Sequence, residues 1–356
     1  MKKLIVFSCL TVLTSLTAQE KPQTLGSIPV LTRQAYGTPD SQLALLRDSV
    51  EVTRSGAYSP ERLKDRLRVT GSSWQMDVLG DGSAAEFLDM AASGRSHAGG
   101  VDLAQSMSTA TLESTARTFV ERNLSRVIIM QPGERLVLAA TSRRSEGGVA
   151  PDGGKAYSAV VANRAIFSRE INGIPVTGAG SKVTITFLND GSIESFRYDW
   201  PKYVSTGRVQ RMAQPAEILR RLQRVAGVRT KRDLYQPVQA PSAIDSITRP
   251  IALGSNVQLQ DLKCGYYDPG LMNRAADAPV QAGCYYHMLD TRGEGDLVTT
   301  AGYSGAVPAA TAPERDTRWP EANVILKVKG EKVPKPKKAG SGKKIHLVPP
   351  RPTVSN

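Results

Sequence analysis

The fold is decided by residues Tyr157 to Tyr203, which have the sequence YSAVVANRAIFSREINGIPVTGAGSKVTITFLNDGSIESFRYDWPKY. Within this segment, Lys182 to Leu188 alternates polar and apolar side chains, a pattern typical of a half-buried antiparallel strand. The turn Asn189-Asp190-Gly191 follows directly and predicts a β-hairpin. A tight turn is also predicted at Asn172-Gly173 and Pro175, because Asn and Gly tolerate positive φ and proline fixes its own φ. The segment therefore predicts three antiparallel strands.

The strand after the hairpin has an irregular pattern. Its apolar residues are Ile193, Phe196, Tyr198 and Trp200, so a step of three residues precedes two steps of two. Side chains on one face of a strand recur every second residue, and an odd step requires an extra residue in the strand. The pattern therefore indicates a bulge near Ser195.

The same segment carries the motif R-x-x-N-G-x-P-V-x-G-x-G-S, followed by an alternating strand, D-G-x-I and a terminal tryptophan. It resembles PepSY-like domains, above all the propeptide domains that precede thermolysin- and fungalysin-type metalloproteases, over residues 109–203. The matching residues are Arg169, Asn172, Gly173, Pro175, Val176, Gly178, Gly180, Ser181, Asp190, Gly191, Ile193 and Trp200. Glycines and a hairpin make up much of the motif, so a generic antiparallel sheet with glycine-rich turns is the alternative.

The resemblance has implications for fold and function. It implies an α+β module that inhibits or chaperones a protease, or that binds another partner in a bacterial envelope. It marks the turn region Arg169–Ser181 and Trp200 as structurally special positions, with no catalytic role. This chain departs from the propeptide pattern because no protease domain follows the motif.

The predicted elements indicate an α+β fold, with an antiparallel sheet and packed helices. Leu112, Ala116 and Phe119 lie on one helical face, and a second helix is predicted to open at Gln214-Pro215, with proline at its first position. Helix followed by strands therefore occurs twice, which allows a degenerate tandem of two such units. The predicted parts are a signal peptide (1–18), an N-terminal extension with a hairpin (19–108), the PepSY-like unit (109–203), a second α+β unit (204–303), and a linker with a disordered Lys/Pro tail (304–356).

Three local predictions concern the N-terminal extension. Residues 19–37 are polar and are predicted to be mobile. The sequence Ser59-Pro60-Glu61 predicts the start of a helix that continues to Leu67. Residues 93–100, SGRSHAGG, predict a flexible loop in which His97 is a solvated histidine.

The N-terminus predicts export. Lys2 and Lys3 precede an apolar run from Leu4 to Leu16, and Ala18 is a suitable cleavage residue for a signal peptide. A membrane-spanning helix needs about 20 apolar residues, so this run is too short for one. The mature chain is therefore predicted to be periplasmic, envelope-associated or extracellular. It is not predicted to be an integral membrane protein.

The two cysteines of the mature chain predict a disulfide. An even pair, Cys264 and Cys284, is typical of a disulfide in an exported protein, and a catalytic thiol is the alternative. The strings Cys264-Gly-Tyr-Tyr and Gly283-Cys-Tyr-Tyr are alike and predict neighbouring strands. Their tyrosines are predicted to pack in the core or at an edge, with an aromatic contact surface as the alternative.

The basic charge belongs to the C-terminal tail. The whole chain carries a net charge of +13. From Ile325 onward there are eight lysines and Arg351 against the single Glu331, a net charge of +8. Such a tail favours polyanions. For an exported chain these are anionic envelope polymers and lipid headgroups, so no nucleic-acid partner is predicted.

The sequence lacks the common catalytic and metal-binding patterns. Only three histidines occur, and H-E-x-x-H, G-x-S-x-G and a complete phosphate-binding loop are absent. The pair Gly178-x-Gly180 lacks a third glycine and leads into a strand, so it predicts no dinucleotide site. No catalytic residue, metal ligand or cofactor is therefore predicted.

The predicted function is that of an exported, non-enzymatic, PepSY-like protein that binds a protein or peptide partner. A secreted protease is the partner that the resemblance implies. The alternative is an envelope-associated structural protein held to anionic polymers by its tail. An unrecognised hydrolase is a third hypothesis.

Overall fold

The computed structural model describes residues 26–34, 37–54, 57–97, 106–148, 157–227, 251–253, 256–271, 279–294, 297–312 and 323–332. Its helices are α1 (Pro39–Arg47), α2 (Glu51–Arg54), α3 (Met90–His97), α4 (Thr109–Phe119) and α5 (Pro215–Gly227), with a π-helical turn, Val120–Leu124, directly after α4. Its strands are β1 (Ser27–Gln34), β2 (Ser59–Arg62), β3 (Arg66–Thr70), β4 (Trp74–Leu79), β5 (Ala84–Asp89), β6 (Glu134–Gly148), β7 (Tyr157–Ile171), β8 (Ile174–Gly178), β9 (Lys182–Leu188), β10 (Ile193–Asp199), β11 (Lys202–Arg211), β12 (Ile251–Ala252), β13 (Val257–Asp268), β14 (Gln281–Glu294), β15 (Leu297–Pro308) and β16 (Asn323–Lys332).

The prediction of an α+β fold with packed helices is wrong. Strands make up 56% and helices 20% of the described residues, so the protein is mostly β. Fourteen strands form one mixed sheet, and β1 pairs with β11 in a separate two-stranded ribbon. Local sequence patterns predicted helices such as α4 and α5 correctly. Most of the described residues, however, belong to strands whose pairing with distant strands these patterns do not specify.

Strand order shows how distant parts of the chain are joined. The main path runs β16-β15-β14-β13-β8-β7-β9-β10-β5-β4-β3-β2, with β6 paired to β7 and β12 paired to β13. Antiparallel pairing of β10 with β5 brings the N-terminal hairpin into the central sheet. Parallel pairing of β13 with β8 connects the disulfide-bearing strands to the same sheet.

A helix followed by four antiparallel strands occurs three times along the chain. Helix α1 precedes β2 to β5, α4 precedes β6, β7, β9 and β10, and α5 precedes β13 to β16. The short strand β8 is inserted into the second group, where it pairs with both β7 and β13. The predicted tandem of two α+β units does not describe this arrangement.

Two large hydrophobic cores and one small cluster, Ala92, Ala162 and Leu188, lie within the described residues. The first is enclosed by α1, α4 and strands β3 to β5, β7, β9 and β10, with Phe119 packed edge-on against Phe187 at 6.4 Å between ring centroids. The second lies between α5, β1, β11 and strands β13 to β15. Ile218, Leu219 and Leu222 of α5 are buried in it, as the amphipathic pattern of this helix predicts.

The central segment folds partly as its sequence predicts: the three predicted strands are β7, β9 and β10, but a further strand, β8, begins at Ile174 inside the predicted turn. Strands β9 and β10 pair as an antiparallel hairpin, and their register shifts between Ile193 and Ser195. This shift is the predicted bulge. Helix α5 also begins at the predicted proline, Pro215, and ends at Gly227.

The predicted disulfide is confirmed. Cys264 and Cys284 lie directly opposite each other on β13 and β14 and are bonded to each other. Closing a loop with a sequence separation of 20 residues stabilises the fold by about 3 kcal/mol in the loop-entropy model. Tyr266, Tyr267 and Tyr286 beside it are at most 5% exposed, and burial raises the pKa of Tyr266 to about 12. These three tyrosines therefore belong to the core.

Three predictions in the N-terminal region are wrong. Residues 27–34, predicted to be mobile, form β1, because they pair with β11 and bury Ile28 completely. Residues 59–62 form the edge strand β2 instead of a helix, since proline is tolerated at a sheet edge as well as at a helix start. Residues 93–97, including His97, belong to helix α3 instead of a loop.

The C-terminal strands extend further than predicted. Strand β15 ends at Pro308, and β16 pairs with it over residues 323–332, so the linker and tail predicted from residue 304 begin later. The signal peptide and residues 333–356 of the tail lie outside the described residues. Among the helices that the structure describes, none is long and apolar enough to cross a lipid bilayer.

Candidate functional site

The predicted motif residues converge where β7, β8, β9 and β11 meet. Arg169 has a fully buried side chain that donates to Glu134 and to the carbonyl oxygen of Pro201, the latter at 2.5 Å. Its guanidinium lies 4.6 Å from the ring centroid of Trp200 and 4.8 Å from that of Tyr203. Ion pairing and two cation–π contacts therefore compensate for burying this charge.

Asp268, at the end of β13, extends this cluster into the second core. Its carboxylate accepts hydrogen bonds from Tyr203 Oη at 2.6 Å and from Ser181 Oγ at 2.8 Å. The backbone amide of Gly270 donates to it at 3.0 Å. We call the group Glu134, Arg169, Ser181, Trp200, Tyr203 and Asp268 the joint, because it connects residues that belong to both halves of the sheet.

The glycines of the motif allow the backbone to approach Asp268 closely. Gly178 has φ +98° and a Cβ on it would lie 2.3 Å from the Asp268 carbonyl oxygen. A Cβ on Gly180 would meet the Asp268 carboxylate at 2.3 Å, and the Gly180 amide donates to the Asp268 carbonyl oxygen at 3.1 Å. The G-x-G-S part of the motif is thus explained by packing against β13.

The remaining motif residues serve turns. Asn172, at φ 51°, forms the β7–β8 turn with Gly173. The backbone N–H of Asn172 donates to the carbonyl oxygen of Gly133 at 2.7 Å. Pro175 lies on β8, opposite Glu170 of β7. Asp190 and Gly191 form the β9–β10 hairpin at the other end of β9, so the structure does not bring them to the joint.

The joint is closed to solvent. The side chains of Arg169, Ser181 and Asp268 have no measurable exposure. Lys182, next to it, is half-buried, its amine donates to the Gly178 carbonyl oxygen, and burial lowers the pKa of this amine. Among the described residues the joint therefore serves to hold the two cores together, and a binding surface must be sought elsewhere.

A second feature is the polar side of the sheet, opposite the side on which α1 and α4 pack. Helix α3 covers one part of this side, where Ala92 is buried against Ala162 and Leu188. Residues paired across antiparallel strands share one face of a sheet. One such row crosses eight strands from β6 to β2 and consists of Ser142, Arg164, Thr186, Ser195, Leu88, Gln75, Thr70 and Ser59. The neighbouring row consists of Ala140, Ile166, Thr184, Arg197, Glu86, Asp77, Arg68 and Glu61. We call these two rows the polar face.

The polar face contains a cavity of about 490 Å³. Gln75, Leu88, Arg164, Thr184 and Arg197 are among its lining residues. Leu88 is 41% exposed, and Phe87 and Phe196 stack beneath the surface at 5.2 Å. Both rings belong to the core on the other side of the sheet, so the cavity lies over the strands themselves and has a mixed polar and apolar lining.

Charges on the polar face are mostly paired. Arg197 pairs with Glu86 at 2.8 Å. Asp77 accepts from Arg68 and from Arg66, and these hydrogen bonds hold the pKa of its carboxyl below the usual 3.8. Arg164 is different: it is exposed, its Nε is 3.4 Å from Thr186 Oγ1, and no carboxylate within the described ranges pairs with it.

We expect the Asp77→Asn variant to lose about 1–2 kcal/mol of unfolding free energy at neutral pH, because charged hydrogen bonds to two arginines are weakened. The folded pKa of Asp77 is depressed, so its contribution is complete above 3.8 and disappears as the pH falls through the folded value. Urea unfolding of both proteins across this range measures the difference. The difference in unfolding free energy between the unmodified chain and Asp77→Asn should become smaller as the pH falls. Asp40→Asn, at an exposed ion pair with Arg62, is the control and should have little effect.

The sequence analysis missed the residues that complete both features. Asp268 precedes Pro-Gly and has the local pattern of a turn residue, and Glu134 has no pattern of its own. Arg164 interrupts an apolar run, which was the one available signal that it points away from the core. Only the pairing of distant strands brings these residues to their positions.

Comparisons with known proteins assign no family. No protein-family model matches the chain, and no curated protein matches it, so the PepSY-like resemblance stays a prediction. Among solved structures, the chain is similar to an uncharacterized protein from Eubacterium rectale ATCC 33656, with 10% identity and a TM-score of 0.44, covering 86% of this chain and 94% of that chain. At this level of similarity the match assigns neither fold nor function.

Proposed function

We propose that this chain is an exported, non-enzymatic binding protein that docks a protein or peptide partner on its polar face. The observation that carries the proposal is the breadth of this face: two polar rows continue across eight paired strands, around a cavity of about 490 Å³. Neighbouring strands lie about 4.8 Å apart, so the rows are about 34 Å long. A surface of this length accommodates an interface of standard size, about 800 Å² per partner.

The buried side of the sheet explains why the face is suited to docking. Helices α1 and α4 fill the opposite side, where Leu46, Leu112 and Phe119 are buried. The strands are therefore fixed from behind, and a partner meets side chains whose positions are set before binding. Such preorganisation lowers the entropy that binding costs.

A secreted protease is the partner that we test first, because the Arg169–Trp200 segment resembles protease propeptides. The chain from Gln19 onward is titrated into thermolysin-type metalloproteases and into proteases secreted by the source organism. Saturable inhibition near one-to-one stoichiometry, with the inhibitor left intact, is the expected result. Thr184→Arg places a long side chain in the middle of the polar face and should abolish inhibition.

The control is Arg122→Gln, in the exposed part of the π-helical turn. It should inhibit as the unmodified chain does. Digestion of the chain as a simple substrate, or inhibition that Thr184→Arg leaves unchanged, would contradict docking of a protease on the polar face.

A second candidate function follows from the charge of the tail. Residues 333–356 carry five lysines and Arg351 with no acidic residue, which favours anionic envelope polymers or lipid headgroups. The test is retention of the chain on isolated envelopes in increasing salt. Deleting residues 333–356 should abolish retention if the tail is the anchor, and salt should release the intact chain.

A further inference from the structure

The strongest unassigned feature is Arg164 on β7, the second of the eight strands that form the polar face. The other arginines there, Arg197 and Arg68, are neutralised by Glu86 and Asp77. Arg164 is exposed, and within the part of the chain that the structure describes its one hydrogen bond is to the Thr186 hydroxyl, at 3.4 Å. A guanidinium offers five donors in a planar fork that matches a carboxylate, so this position is electrostatically complementary to an acidic group.

An apolar position lies in the same row. Arg164, Thr186, Ser195 and Leu88 are directly paired across four neighbouring strands. Leu88 is 41% exposed and lines the same cavity as Arg164. Three strand spacings of about 4.8 Å put the backbones of Arg164 and Leu88 about 14 Å apart. Between them Ser195 offers a half-buried hydroxyl that can donate or accept a hydrogen bond.

We infer that the polar face takes an extended acidic segment of a protein partner, with a carboxylate on Arg164 and an apolar side chain on Leu88. An extended chain rises about 3.4 Å per residue, so residues i and i+4 are about 14 Å apart and match this separation. The segment lies across the strands of the sheet, and its carboxylate is the negatively charged partner of the Arg164 guanidinium. This inference rests on the proposed function, since it names the chemistry of the partner at the same face.

The test uses the full mature chain, immobilised, and a phage-displayed library of random dodecapeptides as the probe. Enriched peptides are expected to carry Asp or Glu four residues from a Leu, Ile, Phe or Met. Synthetic copies are then measured by fluorescence anisotropy against the unmodified chain and two variants of Arg164. Arg164→Gln should weaken their binding about tenfold, as expected for the loss of a charge-assisted pair. Arg164→Glu should weaken it further and select basic peptides in a second selection.

Two further variants make the result interpretable. Arg122→Gln removes the same charge from the helical side of the sheet and should leave peptide binding unchanged. Thr184→Arg obstructs the polar face itself. Circular dichroism and the urea midpoint of each variant show that it is folded, and Arg164 is exposed, so its replacement should not affect stability.

The outcomes separate the inference from the proposed function. Peptides whose binding is lost in Thr184→Arg but kept in Arg164→Gln would show that the face binds and that its acidic specificity is wrong. A library that yields no peptides, or only peptides indifferent to Thr184→Arg, would overturn both. Acidic peptides that depend on Arg164 and on Leu88, tested by Leu88→Ser, support both.

Discussion

Arg169→Leu is expected to lower the free energy of unfolding by about 3–5 kcal/mol, because it leaves the buried carboxylate of Glu134 without its partner. The side chains of Arg169 and Glu134 are 0% and 3% exposed. The variant also removes the donor to the Pro201 carbonyl oxygen and the cation–π contact with Trp200. A loss of this size is a large part of the stability of a typical protein, about 5–15 kcal/mol.

The matched control is Arg135→Leu on the neighbouring position of the same strand pair. Arg135 bonds Glu170 at 2.6 Å, and their side chains are 55% and 12% exposed, so the carboxylate left behind keeps more access to water than that of Glu134. Surface pairs of this kind contribute at most about 1 kcal/mol. Urea denaturation with linear extrapolation measures both variants. Equal losses in the two variants would show that burial of the joint contributes nothing.

The second variant of the pair identifies the cause of the loss. Glu134→Leu removes the carboxylate that Arg169→Leu leaves unpaired. Replacing a buried ion pair by apolar residues is often close to neutral, whereas breaking it is costly. The double variant should therefore recover most of the stability that Arg169→Leu loses. No recovery would indicate that the contacts with Trp200 and Tyr203 dominate.

Short-range structure was predictable where the signal lies within a few residues. Turn residues within a few positions predict the β9–β10 hairpin, and the spacing of its apolar residues predicts its bulge. In the same way, a proline at the first helical position predicts the start of α5 at Pro215. The disulfide was predictable for another reason, since only two of the three cysteines lie outside the predicted signal peptide. The signals for these elements are local, whereas their stability depends on packing against distant strands.

Long-range pairing was not predictable from such signals. Pairing of β5 with β10 and of β8 with β13 is selected by complementary buried surfaces far apart in sequence. The same holds for β1, which lies in a segment predicted to be mobile because it is polar. It forms a strand because it pairs with β11. Pro60 is compatible with both a helix start and an edge strand. Pairing of β2 with β3 selects the strand. The mostly-β character of the protein follows from these pairings.

The candidate site shows the same division. The sequence marked Arg169, Gly178, Gly180 and Trp200 as special. The structure places Arg169 and Trp200 in the joint and the two glycines against its member Asp268. Their partners Glu134 and Asp268 come from β6 and β13, so the ion pair and the hydrogen bonds that make the joint exist only after the sheet has assembled. The polar face depends still more on assembly, because its rows take one residue from each strand.

Gly265→Ala is expected to destabilise the protein by about 3 kcal/mol, because it forces β8 and β13 apart. A Cβ at Gly265 would lie 2.0 Å from the carbonyl oxygen of Pro175, which is backbone and cannot rotate away. Separation of these strands also strains the hydrogen bond from Thr177 Oγ1 to the Tyr266 carbonyl oxygen, 3.1 Å long. Since β13 carries Asp268, the joint would loosen with it.

Gly94→Ala is the matched control for this prediction. A Cβ at Gly94, in helix α3, meets nothing within 4 Å. Alanine is favoured over glycine within a helix by about 0.5–1 kcal/mol, so this variant should be as stable as the unmodified chain or slightly more stable. Urea midpoints compare the two. An unchanged midpoint for Gly265→Ala would contradict the close β8–β13 contact, and with it the connection of the two cores through the joint.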